Sequence, residues 1–326
     1  MAEAATFDDI LDAASRQKGE VVETPLLRSD ALDEATGARV WVKADCLQRT
    51  GSFKFRGAFN KISRLSEDER ARGVVAYSSG NHAQAVAFAA RLVGARALIV
   101  MPSNAPSVKI AQTKAYGAEV VLYDRVKESR EEIAEGICAE RGAVLVRPFD
   151  DPLIIVGQGT AGLEAARQLE ARGVRADLLA CPASGGGLIA GIGLAFERLS
   201  PTTKIYAVEP EGYDDTARSL QQGRRVTVEE PKPCILDALL TPTPGELTFP
   251  INQRLLSGAA AVTEDEALAA VGFAARHLKL VVEPGGAAPL AAALHGKLEL
   301  GGKTVLLIAS GGNIDPDLLA RAVAGA

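Results

Sequence analysis

Six short, largely apolar runs set the rhythm of this chain: residues 74–76, 97–100, 119–122, 178–181, 205–208 and 305–309. Between them lie segments whose apolar positions recur at helical spacing, such as residues 83–92 and 190–199. Buried strands alternating with helices predict an α/β fold, with open parallel sheets covered by helices. Residues 72–140 contain a β-α-β-α-β-α succession of their own. We therefore expect two lobes, a small one at residues 69–142 and a discontinuous large one at residues 1–68 and 143–326. There is no repeat at a fixed period and no low-complexity linker. The proline-rich stretch 241–246 reads as a loop at the edge of the large lobe.

Three of the apolar runs end in polar, glycine-bearing turns. The first turn is Ala183-Ser184-Gly185-Gly186-Gly187-Leu188, which opens a helical segment. Backbone N–H groups at such a strand–turn–helix junction bind a phosphate without a lysine. Its spacing is neither GxGxxG nor GxxxxGK[ST], so neither a dinucleotide nor an NTP site is indicated. An ordinary tight turn would explain the glycines equally well. The second is Tyr77-Ser78-Ser79-Gly80-Asn81-His82. Its N–H groups suit a substrate carboxylate, although Ser79 or Asn81 acting as a plain helix cap and His82 as a partly exposed helix residue would also fit. The third is Ala309-Ser310-Gly311-Gly312-Asn313. Ligands of open α/β sheets collect outside the carboxyl ends of strands. A fourth element, Ser52-Phe53-Lys54-Phe55-Arg56-Gly57, sets a lysine between two phenylalanines. Desolvation of this kind turns an ammonium into a usable amine nucleophile, whereas most lysines of amphipathic helices are merely exposed.

Lysine motif, SSGNH turn and glycine turn occur in an order and spacing that resembles the fold-type II pyridoxal-phosphate enzymes, within them the serine/threonine dehydratase and serine racemase group. The resemblance covers nearly the whole chain, from Thr24-Pro25-Leu26 to Asn313. It implies a cofactor, pyridoxal 5'-phosphate, held as a Schiff base by Lys54 with Phe53 beside its ring. It further implies that Asn81 meets the 3-hydroxyl, that Ser184, Gly185, Gly186, Gly187 and Leu188 cradle the phosphate, and that Ser310 faces the ring nitrogen. Many relatives carry glycine where this chain has Ser184, whose hydroxyl is also able to donate to phosphate. Substrate contacts are implied for Ser78, Ser79, Gly80, Asn81, His82 and Arg130. Ser79 is a position where racemase-like members carry serine, so its hydroxyl is a candidate to return a proton opposite Lys54. Arg130 would pair a second carboxylate, favouring 3-hydroxyaspartate over threonine; the mixed charges of its segment fit a solvated face as well. In metal-binding relatives the positions of Glu209 and Asp215 supply carboxylates and that of Tyr213 a carbonyl, a set suited to Mg2+, or to Ca2+ or Mn2+.

The expected activity is elimination of water and ammonia from L-threonine, L-serine or 3-hydroxyaspartate to a 2-oxo acid. The alternatives are an amino-acid racemase with elimination as a side reaction, and a cofactor-binding or ligand-sensing protein without turnover. A net charge of −5 over 326 residues gives no reason to expect nucleic acid or acidic membrane as partner. Four scattered cysteines (Cys46, Cys138, Cys181, Cys234), with no CxxC, indicate neither a zinc site nor a disulfide framework and suit a reducing cytosol. The acidic start, with Asp8 and Asp9, argues against a targeting peptide, and no apolar stretch is long enough for a bilayer. We expect a cytoplasmic homodimer acting on a small amino acid. The short reach past Asn313 suggests a form without a C-terminal regulatory domain.

Overall fold

The computed structural model describes residues 5–105, 107–229 and 232–325, so residues 1–4, 230, 231 and 326 of the expected large lobe and 106 of the expected small one lie outside it. Ten strands are found among the described residues: β1 (Leu26–Leu27), β2 (Arg39–Lys43), β3 (Val74–Tyr77), β4 (Ala97–Pro102), β5 (Glu119–Tyr123), β6 (Val144–Leu145), β7 (Leu178–Pro182), β8 (Lys204–Pro210), β9 (Leu256–Val262) and β10 (Thr304–Ile308). They form a six-stranded sheet in the order β1-β2-β10-β7-β8-β9 and a four-stranded sheet in the order β5-β4-β3-β6. All neighbours are parallel except β1 and β2. Helices cover both sheets, as parallel connectivity requires.

All six expected strands are present. β1, β2, β6 and β9 were not anticipated, each for a local reason. β1 and β6 have two residues apiece. β2 begins and ends in cations, yet its terminal Lys43 is fully buried. β9 reads Leu-Ser-Gly-Ala-Ala-Ala-Val, a composition with little strand preference of its own; pairing along β8 imposes the extended form. The small sheet also draws on more chain than residues 69–142. β6 lies beyond that span, and Phe55, Ala58, Phe59 and Ile62 fill the sheet's core from the N-terminal side.

Those four apolar residues belong to the helix Lys54–Ile62, which buries them while its opposite side carries Arg56. Arg56 is fully buried and reaches Asp45 through Nε (2.8 Å) and Nη2 (2.9 Å), and Glu164 through Nη1 (2.7 Å) and Nη2 (2.8 Å). Lys43 completes the group, donating to Glu164 at 2.8 Å and to the Thr24 carbonyl at 2.6 Å. Burial on its own would raise the Asp45 carboxyl, but Arg56, Lys43 and the Thr24 hydroxyl together outweigh it and hold the group below its usual range. One helix is therefore wedged into the small sheet's core and bolted by charge to Asp45, just past β2, and to the helix Pro152–Glu170.

Removing one partner of a buried ion group strands the others. Asp45→Asn is expected to destabilise the protein by about 3–5 kcal/mol, read as a lowered urea midpoint at unchanged slope. A midpoint within experimental error of the parent would refute this reading of the network.

Candidate active site

The first N–H groups of a helix have no partner inside it, and side chains usually cap them. Six helices follow this pattern: Thr6, Ser66, Ser129, Asp151, Thr263 and Asp315 each accept a hydrogen bond from their own helix start. Four helices that begin at the cleft, Lys54–Ile62, Asn81–Leu92, Gly187–Leu199 and Pro284–Leu294, have no side-chain cap. Ser79 and Asn81 are thus not helix caps. The cleft, of about 720 Å³, is lined by Phe53, Lys54, residues 78–82, Arg130, residues 184–188 and Ser310, so sequence-predicted residues of five separate segments meet there.

Lys54 is the first residue of its helix. Its Nζ donates to the Pro148 carbonyl at 2.7 Å and stands 5.1 Å from the centre of the Phe53 ring. Burial pulls its pKa down to about 8, against an opposing pull from Glu283. Glu283 had not been anticipated. It is buried at the start of the helix Pro284–Leu294, and burial together with the charge of Asp237 raises it to about 8. Its Oε1 accepts from Asn81 Nδ2 at 2.6 Å, while Asn81 Oδ1 accepts from Asn313 Nδ2 at 2.7 Å. Asn313 Nδ2 also donates to the Thr50 carbonyl at 2.8 Å.

Glycine is required in the turn at 185–186. A Cβ on Gly185 would lie 2.4 Å from the Phe149 ring, and Gly186 adopts φ +88°. Ser184 Oγ accepts from the Thr241 N–H at 3.1 Å, which leaves its hydroxyl hydrogen free. Thr241 belongs to the loop at 241–246, expected at a lobe edge; it lies instead against this turn. Ser310, buried at the end of β10, accepts from the Phe53 N–H through its carbonyl at 3.0 Å.

On the small-lobe side, Ser78 Oγ accepts from Gly80 N–H at 3.2 Å. His82 is buried rather than partly exposed. Its Nε2 lies 2.9 Å from the Val146 carbonyl and so carries the hydrogen, and burial pushes its pKa to about 3. Arg130 opens the helix Arg130–Arg141, pairs with Glu131, and lies 5.4 Å from the centre of the Tyr77 ring. Lys109 Nζ meets Asp237 Oδ2 at 2.8 Å, an ion pair joining the two sides of the cleft mouth.

Glu209, Tyr213 and Asp215 do not line this cleft. Glu209, buried near the end of β8, accepts from the N–H groups of Thr216 (2.8 Å) and Ala217 (2.9 Å). Both carboxylate oxygens of Asp215 are buried without a partner, and Tyr213 donates its hydroxyl to the Lys232 carbonyl at 2.7 Å. Burial raises Glu209 to about 7; burial and the nearby Glu209 raise Asp215 to about 8. Among the described residues no three His, Cys, Asp or Glu side chains gather as a metal site, so any cation here would also lean on carbonyl oxygens and water.

Amine, glycine turn and open helix starts define a site for a phosphorylated carbonyl cofactor on a two-sheet α/β scaffold. The family described as pyridoxal-phosphate dependent enzymes matches residues 18–311, and the chain belongs to that family. It is 43% identical over 320 residues to an L-threo-3-hydroxyaspartate ammonia-lyase of Saccharomyces cerevisiae, covering 98% of this chain and 97% of the other. Solved structures agree. A threonine deaminase of T.th. superposes with a TM-score of 0.89 at 45% identity, covering 95% of this chain and 99% of its own. The serine racemase of maize gives 0.92 at 37% identity, covering 99% and 98%. Glu283, Pro148, Phe149 and Asn313 are site residues that the sequence did not reveal; only the polar turn at 310–313 hinted at the last.

A lysine held near pKa 8 is an unprotonated nucleophile above that value and protonated below it. With pyridoxal phosphate added to apoprotein, the initial rate of forming a borohydride-reducible adduct should rise with pH to half its maximum near 8. A midpoint near 10, the range of a free lysine, would show that burial does not depress this amine.

Proposed function

We propose that the protein is an ammonia-lyase that removes water and ammonia from a β-hydroxy amino acid. The observation that carries this reading is the Lys54 amine, depressed to about pKa 8, opening into the same cleft as two uncapped helix N-termini. Bound pyridoxal phosphate supplies a carbonyl for the amine and a ring that accepts electron density from the substrate's Cα. Lys54 Nζ would hold the cofactor, and the same amine, when free, would take the substrate's α-proton. The N–H groups at the start of the helix Asn81–Leu92 receive the substrate carboxylate. The Ser184–Leu188 turn receives the phosphate, and Ser310 offers the ring nitrogen a neutral partner. The β-hydroxyl leaves with a proton as water, and hydrolysis of the released enamine gives the 2-oxo acid and ammonium.

Arg130, braced on Tyr77 at the cleft wall, favours a substrate with a second carboxylate and hence 3-hydroxyaspartate. The likeness to a yeast enzyme of that name points the same way. A second reading, racemisation, draws on Ser79, whose hydroxyl lines the cleft with no protein partner among the described residues. Purified protein offered L-serine, L-threonine and both diastereomers of 3-hydroxyaspartate should release 2-oxo acid fastest from a hydroxyaspartate. Lys54→Ala should lower that rate about 10²–10⁴-fold, and Arg130→Ala should raise KM for hydroxyaspartate about tenfold while sparing serine. Equilibrated serine enantiomers with scarcely any pyruvate would replace the lyase reading by the racemase.

We further propose that Glu209 and Asp215, with the Tyr213 carbonyl, hold a divalent cation such as Mg2+. The support is the pair of Asp215 oxygens buried without a partner. Both carboxyls are raised in the folded state, so the stability they contribute when protonated is lost as pH climbs through about 7–8. A bound cation removes that penalty. Mg2+ should therefore raise the melting temperature at pH 8.5 and hardly at pH 5.5, and Asp215→Asn should abolish the difference. Equal effects of Mg2+ at both pH values would count against the site.

A further inference from the structure

The helix Thr248–Leu255 lies behind the glycine turn, and neither Thr248 nor Asn252 lines the cleft. Both are fully buried and both donate to that turn. Thr248 Oγ1 reaches the Gly185 carbonyl at 2.6 Å, joined there by the Gly245 N–H at 3.2 Å, and Asn252 Nδ2 reaches the Gly186 carbonyl at 3.3 Å. A peptide unit is planar and trans, so its carbonyl and the following N–H point in opposite directions. Anchoring the Gly185 carbonyl backward turns the Gly186 N–H forward, and anchoring the Gly186 carbonyl does the same for Gly187. Neither N–H has a protein acceptor among the described residues.

The helix is itself fixed from a distance. Asp150 accepts from the N–H groups of Glu246 (3.0 Å), Leu247 (2.9 Å) and Thr248 (3.3 Å), and its neighbour Phe149 presses on Gly185 from another side. Asn252 Oδ1, meanwhile, is buried with no partner. An apolar side chain would fill that space without stranding an oxygen; what the amide adds is the hydrogen bond from its nitrogen to the Gly186 carbonyl.

We propose that Thr248 and Asn252 are positioning residues for phosphate recognition: they orient the Gly185 and Gly186 peptide units so that the turn presents its N–H groups to the cofactor's phosphate. This rests on the reading of residues 184–188 as the phosphate-binding turn. The test compares pyridoxal phosphate with pyridoxal, which lacks the phosphate, by titrating apoprotein and measuring both dissociation constants. Thr248→Val and Asn252→Leu should each weaken pyridoxal phosphate about tenfold and leave pyridoxal unchanged, while Thr248→Ser, which keeps the hydroxyl, should behave as the parent. Melting curves of the apoproteins report folding; if the valine variant is unfolded, the leucine variant and a Thr248→Ala variant supply the same comparison. Unchanged affinity for pyridoxal phosphate, or an equal loss for both ligands, overturns the proposal. A parent protein that binds the two ligands equally instead removes the phosphate reading of the turn itself.

Discussion

Four helices start at one cleft without a side chain to satisfy their first N–H groups, and the rest of the site is organised around that deficit. Each open start carries partial positive charge as well as unpaired donors. Set side by side they make a region that favours anions at several points at once. A carboxylic acid in their midst, Glu283, is itself at a helix start, yet burial keeps it from ionising readily. A ligand with two or more separated negative groups is what such an arrangement recognises, and a phosphorylated cofactor joined to an amino acid has that form.

The second constraint is mechanical. The helix that carries Lys54 contributes to the small sheet's core on one side and to a buried ion group on the other. The lysine amine sits at the end of an element held on both sides. Buried ion groups seldom add much net stability compared with apolar packing; what this one provides is an orientation, since the Arg56 fork fits Asp45 and Glu164 in one geometry only.

Much of this was legible in the sequence where a signal is local. Strand runs such as 178–181 declare themselves by continuous burial, and the glycine turn by its composition. β2 and β9 escaped for opposite reasons, the first because its burial tolerates charged ends and the second because small residues become a strand only beside β8. Lys54 and Asn81 stood out because each sits in a short motif. Glu283 did not, since Val281-Val282-Glu283-Pro284 reads as an ordinary helix start and only long-range folding brings it 2.6 Å from Asn81. Thr248 and Asn252 are invisible for the same reason, separated from the turn they hold by more than sixty residues.

The chain from Thr50 to Glu283 has a direction. Because Thr50 offers a carbonyl, the Asn313 group facing it must be nitrogen, and the Asn81 atom facing that nitrogen must be oxygen. Asn81 therefore turns its own nitrogen toward Glu283 and keeps one hydrogen uncommitted. Its oxygen already accepts from Asn313. A ligand oxygen approaching this amide would meet a hydrogen-bond donor, an arrangement that favours an anionic oxygen over a hydroxyl.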